Sequence, residues 1–327
     1  MIALGRHRWV GPLIGLVVVF VLFAILLPGQ LTKPITIMTM ARATAVVGIA
    51  ASGTTMVIIL GGIDLSVGSA VALTTVVIAL VLKQDLGVVA AIVLAVLAAA
   101  CAGAINGGLT VGLEIAPFIV TLGTMGALRG AAIGLAHEQR VYVDAHGIDA
   151  LVLPTHGVLG VPLAVWLLFA VAASIAVLLN NTTYGRQVFA IGSNERTALL
   201  AGIRVKRIKI ITYAVATGLA GVAGIVEFGR LTVGDPTDSV GLELAVIASS
   251  VIGGSSLAGG EGSVLGTIFG AMMMTVIQTG CSFLGLASWL QMILTGVIII
   301  AAAGLDRFRQ KAAASRVRSR SHNPRKL

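Results

Sequence analysis

The sequence predicts an all-α, polytopic membrane helix bundle of about ten spans, interrupted by glycine breaks, with both termini cytoplasmic. Three observations carry that prediction. Of 327 residues, 57% are hydrophobic and 11% are charged, against about 25% charged in a soluble domain; mean hydropathy is +1.03. Apolar runs of bilayer-spanning length recur along the chain. Lysine and arginine cluster in segments that an even number of spans places on one side. The 41 glycines follow no collagen period and fit close-packed membrane helices, where small residues let backbones approach. Apolar content this high excludes disorder.

The first run, about 9–28, follows Arg6-His7-Arg8. It is longer than the apolar core of a signal peptide, about 7–15 residues, so a retained first span is expected. Further runs lie near 36–60, 63–82, 87–107, 116–136, 161–180, 208–231, 242–257, 263–282 and 287–304. Two are misfits: 36–60 is long for one helix and 242–257 is short. The basic segments are Arg6 and Arg8; then Arg186, Arg196, Arg204, Lys206, Arg207 and Lys209; then Arg307, Arg309, Lys311, Arg316, Arg318, Arg320, Arg325 and Lys326. They hold 16 of the 22 basic residues, and ten spans put all three in the cytoplasm. Trp9, Trp166 and Trp289 stand near span starts, at headgroup level.

Residues 1–306 therefore form one transmembrane domain, and 307–327 a basic cytoplasmic tail attracted to anionic lipid rather than to nucleic acid. Segments 137–160 and 231–241 are expected outside. Cys101 and Cys281 fall in apolar runs and behave as small hydrophobes. His137, His146 and His156 match no compact zinc spacing, so no metal site is expected and an intramembrane enzyme is disfavoured.

An internal similarity runs at a constant offset of 192: six of fifteen positions are identical between 61–75 and 253–267. Both copies adjoin the misfit runs. Glycine-interrupted segments at matching places in two halves point to a transport path, because freed backbone groups are costly in hydrocarbon unless buried in protein or lining a wet cavity. The candidate pathway residues are Gly61, Gly62, Asp64 and Ser66 in the first break and Gly253, Gly254, Ser255 and Ser256 in the second. Asp64 is read first as a cap accepting N–H bonds from the first turn of the helix that follows, and second as a contact for solute hydroxyls. Arg129 lies near a span end, where it can snorkel; Arg42 is deeper and has no evident partner.

In the middle basic loop, Asn194 is a good N-cap, Glu195 suits a first turn and Gly202 a C-terminal stop. A short helix over about 195–201 is expected, with Leu199 and Leu200 poorly buried unless something docks there or anionic lipid holds it.

Gly61-Gly62-Ile63-Asp64-Leu65-Ser66-Val67-Gly68-Ser69 resembles the signature of permease subunits of ribose-type (ribose, xylose, arabinose, galactose) ABC sugar importers. So do Pro117 to Met125 with Arg129-Gly130, Ala190 to Asn194 leading to Ala201-Gly202-Ile203, and Gly241 to Leu244 continuing through Gly253-Gly254 to Gly262-Ser263. These blocks stand in the family's order over about 40–306. The resemblance implies a permease paired with a second permease, identical or paralogous, in a bacterial cytoplasmic (inner) membrane. It also implies an extracytoplasmic sugar-binding protein that delivers a monosaccharide, and a cytoplasmic ABC ATPase that uses ATP-Mg. Asn194, Glu195, Arg196, Leu199 and Gly202 then belong to the helix that couples to the ATPase. Thr197 stands where the family often has alanine, and the 137–160 loop departs from the family pattern.

The chain has no Gly-x-x-x-x-Gly-Lys-Ser/Thr phosphate loop, and Gly259-Gly260-Glu261-Gly262 carries an acid where phosphate would be repelled. No cofactor is expected on this polypeptide, and ATP hydrolysis is expected in another chain. The alternative is an ion-coupled secondary transporter of a small polar solute, which usually carries several ionisable residues within spans; here Asp64 is almost alone.

Overall fold

The computed structural model describes residues 9–144, 147–153 and 158–321. Arg6, Arg8, His146, His156, Arg325 and Lys326 lie outside them. Twelve α-helices are described: α1 Val10–Leu26, α2 Pro34–Ile59, α3 Val67–Lys83, α4 Val88–Gly112, α5 Pro117–Leu135, α6 Leu163–Asn181, α7 Thr183–Ser193, α8 Glu195–Leu200, α9 Val205–Leu231, α10 Leu242–Ile252, α11 Val264–Phe283 and α12 Ser288–Ser321. Six of them (α2, α4, α5, α6, α9 and α11) are long and apolar enough to cross a membrane, and α1, α3, α10 and the Ser288–Gly304 part of α12 are shorter apolar helices. α12 runs on without a break beyond residue 306, so the basic segment starts inside a helix.

Local sequence sets several boundaries. Pro34 and Pro117 open α2 and α5 at positions where the missing N–H costs nothing. Thr182, Asn194 and Ser263 cap α7, α8 and α11, each accepting from the N–H three residues on: Gly185 at 3.2 Å, Thr197 at 3.0 Å and Gly266 at 3.2 Å.

The long run 36–60 is one helix, and its length follows from its place. α2, 26 residues long, is the most buried of the spans and crosses α9, which is 27 residues long. α2 runs toward the end of the bundle that carries α7 and α8, while α9 starts there and runs away. Small residues make the central contacts close. A Cβ on Gly53 of α2 would stand 2.7 Å from Ala216 O of α9, and where α4 meets α9 one on Gly107 would stand 2.7 Å from the Cα of Ile210.

This pair organises the rest. α4 packs along α9 as α11 packs along α2. α3 lies among α4, α5 and α9 as α10 lies among α11, α12 and α2. Exchanging α2–α5 with α9–α12 therefore carries these contacts onto one another, though the packing of α4 on α5 has no counterpart of like extent between α11 and α12, and the antiparallel run of α2 and α9 makes the two halves inverted. The similarity at offset 192 pairs α2 with α10, which run in the same sense, so it is not the symmetry of the architecture. α3 begins beside Thr217, midway along α9, and α10 passes Met274, midway along α11. Their first turns meet, since a side chain on Gly68 would collide with the Glu243 carboxylate and with Ser239 O.

At the end opposite α8, strands β1 (Val141–Tyr142) and β2 (Val233–Gly234) pair antiparallel, Val141 with Gly234 and Tyr142 with Val233. The two segments expected on one outer side thus join in one ribbon.

Candidate functional site

Asp64 is fully buried. Its Oδ1 accepts from Ser66 N at 2.8 Å and Ser66 Oγ at 2.6 Å, and its Oδ2 from Thr217 Oγ1 at 3.1 Å. Asn106 Nδ2 donates to Ser66 Oγ at 3.0 Å, and Thr121 Oγ1 donates to Ile63 O at 3.1 Å. The expected cap is therefore displaced by one step. Asp64 binds the residue before α3 rather than N–H groups of its first turn, and ties the return segment 62–66 to α9, because the turn leaves Ser66 nearer than the helix. A buried carboxylate needs such partners.

The two glycine breaks meet each other. Gly260 N donates to Ile59 O at 2.8 Å. A Cβ on Gly259 would lie 3.0 Å from the Cα of Gly61, and one on Gly260 would lie 2.9 Å from that of Ser193. On Gly192 a Cβ would strike Ile59 O, and on Gly62 it would strike Tyr213 Oη. Gly61 has φ +88° and Gly254 φ +93°, conformations that glycine adopts without strain. Gly253 packs on Gly266 and Thr267; Ser255 and Ser256 are buried. Above this knot, Thr55 Oγ1 lies 2.7 Å from Thr267 Oγ1 and donates to Ser250 Oγ at 3.1 Å.

The knot ends one residue before α8. Asn194 caps that helix, Gly202 follows it at φ +80°, and Ala198 is its buried residue. Lys209 Nζ donates to both Glu195 oxygens, at 2.7 and 2.8 Å. Leu199 is 54% and Leu200 91% exposed, and Arg196 is exposed too.

Sequence reasoning missed a second site. A cavity of about 480 Å³ lies among α2, α9, the 238–241 segment, α10, α11 and α12, toward the ribbon end. Its polar groups include Glu227, Arg230, Asp238, Ser239, Gln278, Gln291 and Thr295. Arg230 Nη2 donates to Glu227 Oε1; the Glu227 side chain is 3% exposed and that of Arg230 45%. None of the eight break residues lines this cavity. An acid and a base three apart at the end of the apolar run 208–231 were the available signal.

Arg129 does not snorkel. Its Nη1 donates to Pro236 O and Asp238 O, both at 2.7 Å, because the 235–241 segment brings carbonyls with no helical partner against α5. Asp235 Oδ1 accepts from Thr237 N and Oγ1, at 2.9 and 2.7 Å, and its Oδ2 from Arg140 Nε at 2.8 Å. Burial alone would raise the Asp235 carboxyl, but Thr237 and the Arg140 guanidinium hold it below its ordinary value. The buried Nε of Arg42 has no hydrogen-bond partner among the described residues.

Inverted halves, two helices (α3 and α10) shorter than the spans they pack on, and a polar cavity walled by helices define a multi-pass membrane permease. A family described as the branched-chain amino acid transport system permease component matches residues 36–303, and the chain belongs to it. The ribose import permease protein RbsC of Bacillus subtilis (strain 168) is 37% identical over 310 residues, 93% of this chain and 94% of that protein. RbsC of Escherichia coli (strain K12) is 36% identical over 273 residues, 82% of this chain and 84% of that protein. The L-arabinose transport system permease protein AraH of the same strain is 35% identical over 302 residues, 92% and 91%. No solved structure matches the chain. The protein is a multi-pass transporter component of the bacterial cytoplasmic (inner) membrane.

Proposed function

We propose that this chain is the membrane subunit of an ATP-driven importer of a monosaccharide. Relatives that import ribose and transport L-arabinose, similar over nearly their whole length, support the solute class. In this reading a second permease completes the membrane unit, and a cytoplasmic ABC ATPase hydrolyses ATP-Mg. An extracytoplasmic binding protein delivers the sugar to the ribbon end.

One observation carries the mechanism: α8 projects two exposed leucines and is continuous, through Ser193 and Gly192, with both glycine breaks. Asn194, Glu195, Arg196, Leu199 and Gly202 form the coupling element that seats in the ATPase. Its displacement acts on the Ile59–Gly260 contact without an intervening side chain. Gly61, Gly62, Asp64 and Ser66 with Gly253, Gly254, Ser255 and Ser256 then act as the seal of the pathway at the inner end. The break backbone is packed on backbone, so it has discrete arrangements rather than soft ones.

Uptake of radiolabelled D-ribose and L-arabinose by cells expressing the complete system tests the reading. Collapse of the proton gradient at constant ATP leaves uptake running if ATP is the driver. Loss of uptake under those conditions contradicts it in favour of an ion-coupled carrier.

A further inference from the structure

The 62–66 segment, which leads from the first glycine break into α3, is held by one side chain from each of two helices. Thr217 of α9 donates to Asp64 Oδ2 at 3.1 Å, and Asn106 of α4 donates to Ser66 Oγ at 3.0 Å. We propose that Tyr213 and Thr110 are positioning residues for a second register of this segment, one helical turn nearer α8, which the transport cycle visits when the ATPase moves α8; this rests on the reading of the chain as an ATP-driven permease.

Both residues stand where such a register requires them. Tyr213 precedes Thr217 by four residues on α9, which starts at the α8 end. Thr110 follows Asn106 by four on α4, which runs toward that end: Gly103 packs on Tyr213 and Thr217, Gly107 packs on Ile210, and Thr110 shares a groove with Glu195 and Leu199. Residues four apart share a helix face, so each lies one turn, about 5.4 Å, inward of the present partner. Tyr213 is 1% and Thr110 6% exposed, yet neither Tyr213 Oη nor Thr110 Oγ1 has a hydrogen-bond partner among the described residues. A buried hydroxyl left unpaired is costly. Here two are unpaired, on different helices, and a single displacement of one segment supplies both. Tyr213 Oη already reaches the inner end of that segment, since a Cβ on Gly62 would lie 2.3 Å from it.

The exchange conserves chemistry. Asp64 trades one hydroxyl donor for another, and Ser66 trades an amide N–H for a hydroxyl, so the carboxylate stays buried and hydrogen-bonded in both registers. A one-turn step between two sets of partners is discrete, as coupled movements of packed elements are. Its trigger is in contact with the segment. Gly192, two residues before α8, packs on Ile59 O and Gly260 N, and displacement of α8 opens the bond between those two atoms, which holds the chain just before the segment. At the end toward which the segment moves, a groove of about 530 Å³ separates the α4–α5 corner from α8, with Thr110 in its wall.

The test uses the complete importer in membranes and compares Tyr213→Phe and Thr110→Val, which delete the unpaired hydroxyls, with Thr217→Val, which deletes a paired one. Thermal unfolding of the nucleotide-free importer is expected to be no earlier than wild type for the first two and earlier for Thr217→Val. ATP-driven uptake is expected to fall severalfold in both Tyr213→Phe and Thr110→Val. With 3-fluorotyrosine placed at position 213, the ¹⁹F resonance is expected to shift between the nucleotide-free and the ATP-vanadate-trapped importer, as its hydroxyl gains the Asp64 carboxylate. The proposal is overturned if Tyr213→Phe or Thr110→Val unfolds as early as Thr217→Val, which would give that hydroxyl a role in the resting structure, such as holding an ordered water. It is also overturned if uptake is unchanged in either variant, or if the resonance is the same in both states. Wild-type uptake in the same membranes keeps the two questions apart. ATP-dependent uptake with any of those results discards the second register alone, whereas uptake that needs no ATP discards the permease reading.

Discussion

The amide of Gly260 hydrogen-bonds to the carbonyl of Ile59 at 2.8 Å, joining the two glycine breaks of the chain by main chain alone. The α7–α8 junction closes on the same point, since Gly192 packs against both Ile59 O and Gly260 N. Three segments far apart in sequence thus share one contact, and any side chain added there forces them apart.

Gly192→Ala and Gly260→Ala are therefore expected to destabilise the protein by about 1–3 kcal/mol, the usual cost of overpacking, and to lower uptake. Gly108→Ala in α4 meets open space and is expected to stabilise by up to about 1 kcal/mol through helix propensity. Thermal unfolding in detergent, alongside uptake, checks the contrast in sign. Equal effects at the three positions would refute the knot.

Leu200 is almost wholly exposed and Ala198 is buried. Leu200→Asp is expected to leave stability within about 0.5 kcal/mol, as for surface changes, while weakening co-purification of the ATPase. Ala198→Leu is expected to lose both. Retained ATPase binding in the Leu200 variant would remove α8 from the coupling role.

Arg129 holds two carbonyls of the segment that leads into α10. Arg129→Gln is expected to raise amide hydrogen exchange over 235–241 and to lower uptake, and Arg129→Lys to recover part of both. Exchange rates unaltered in the Gln variant would show that the clamp does not order the segment.

Asp235, outside the spans, gives a pH dependence of fixed sign. Its folded value lies below the ordinary 3.8, so its contribution to the ribbon is complete above that pH and is lost as pH falls through the folded value. Exchange at Val233 and Gly234 is expected to quicken only on strong acidification, and Asp235→Asn is expected to be fast at every pH. A wild-type ribbon equally protected well below pH 3.8 would contradict the assignment.

What was legible in the sequence follows from which interactions are local. Asn194, Glu195 and Gly202 outlined α8 because capping involves neighbours in the chain. The ten apolar runs appeared as helices because a long apolar run is itself the signal, although the short run 242–257 holds only the 11 residues of α10. Arg129 was misread because its partners are backbone carbonyls 107 and 109 residues away, and a carbonyl has no letter of its own. The inverted relation of α2–α5 to α9–α12 was hidden because it lies in packing, while the visible similarity of 61–75 to 253–267 suggested another pairing. Asp64 kept its structural role but found a nearer donor in Ser66. Glu227 and Arg230 were in plain view as an i, i+3 pair, passed over because they stood at the edge of a run instead of within a break.

The central claim is that this chain is a conduit with no motor of its own, driven through α8. The most direct measurement is solute accumulation in sealed proteoliposomes, with the purified permease alone and then with its ATPase, ATP-Mg and the binding protein. The account predicts no accumulation from the permease alone, accumulation with the full set, and none when Leu200→Asp replaces the wild type. Accumulation by the permease alone would contradict it.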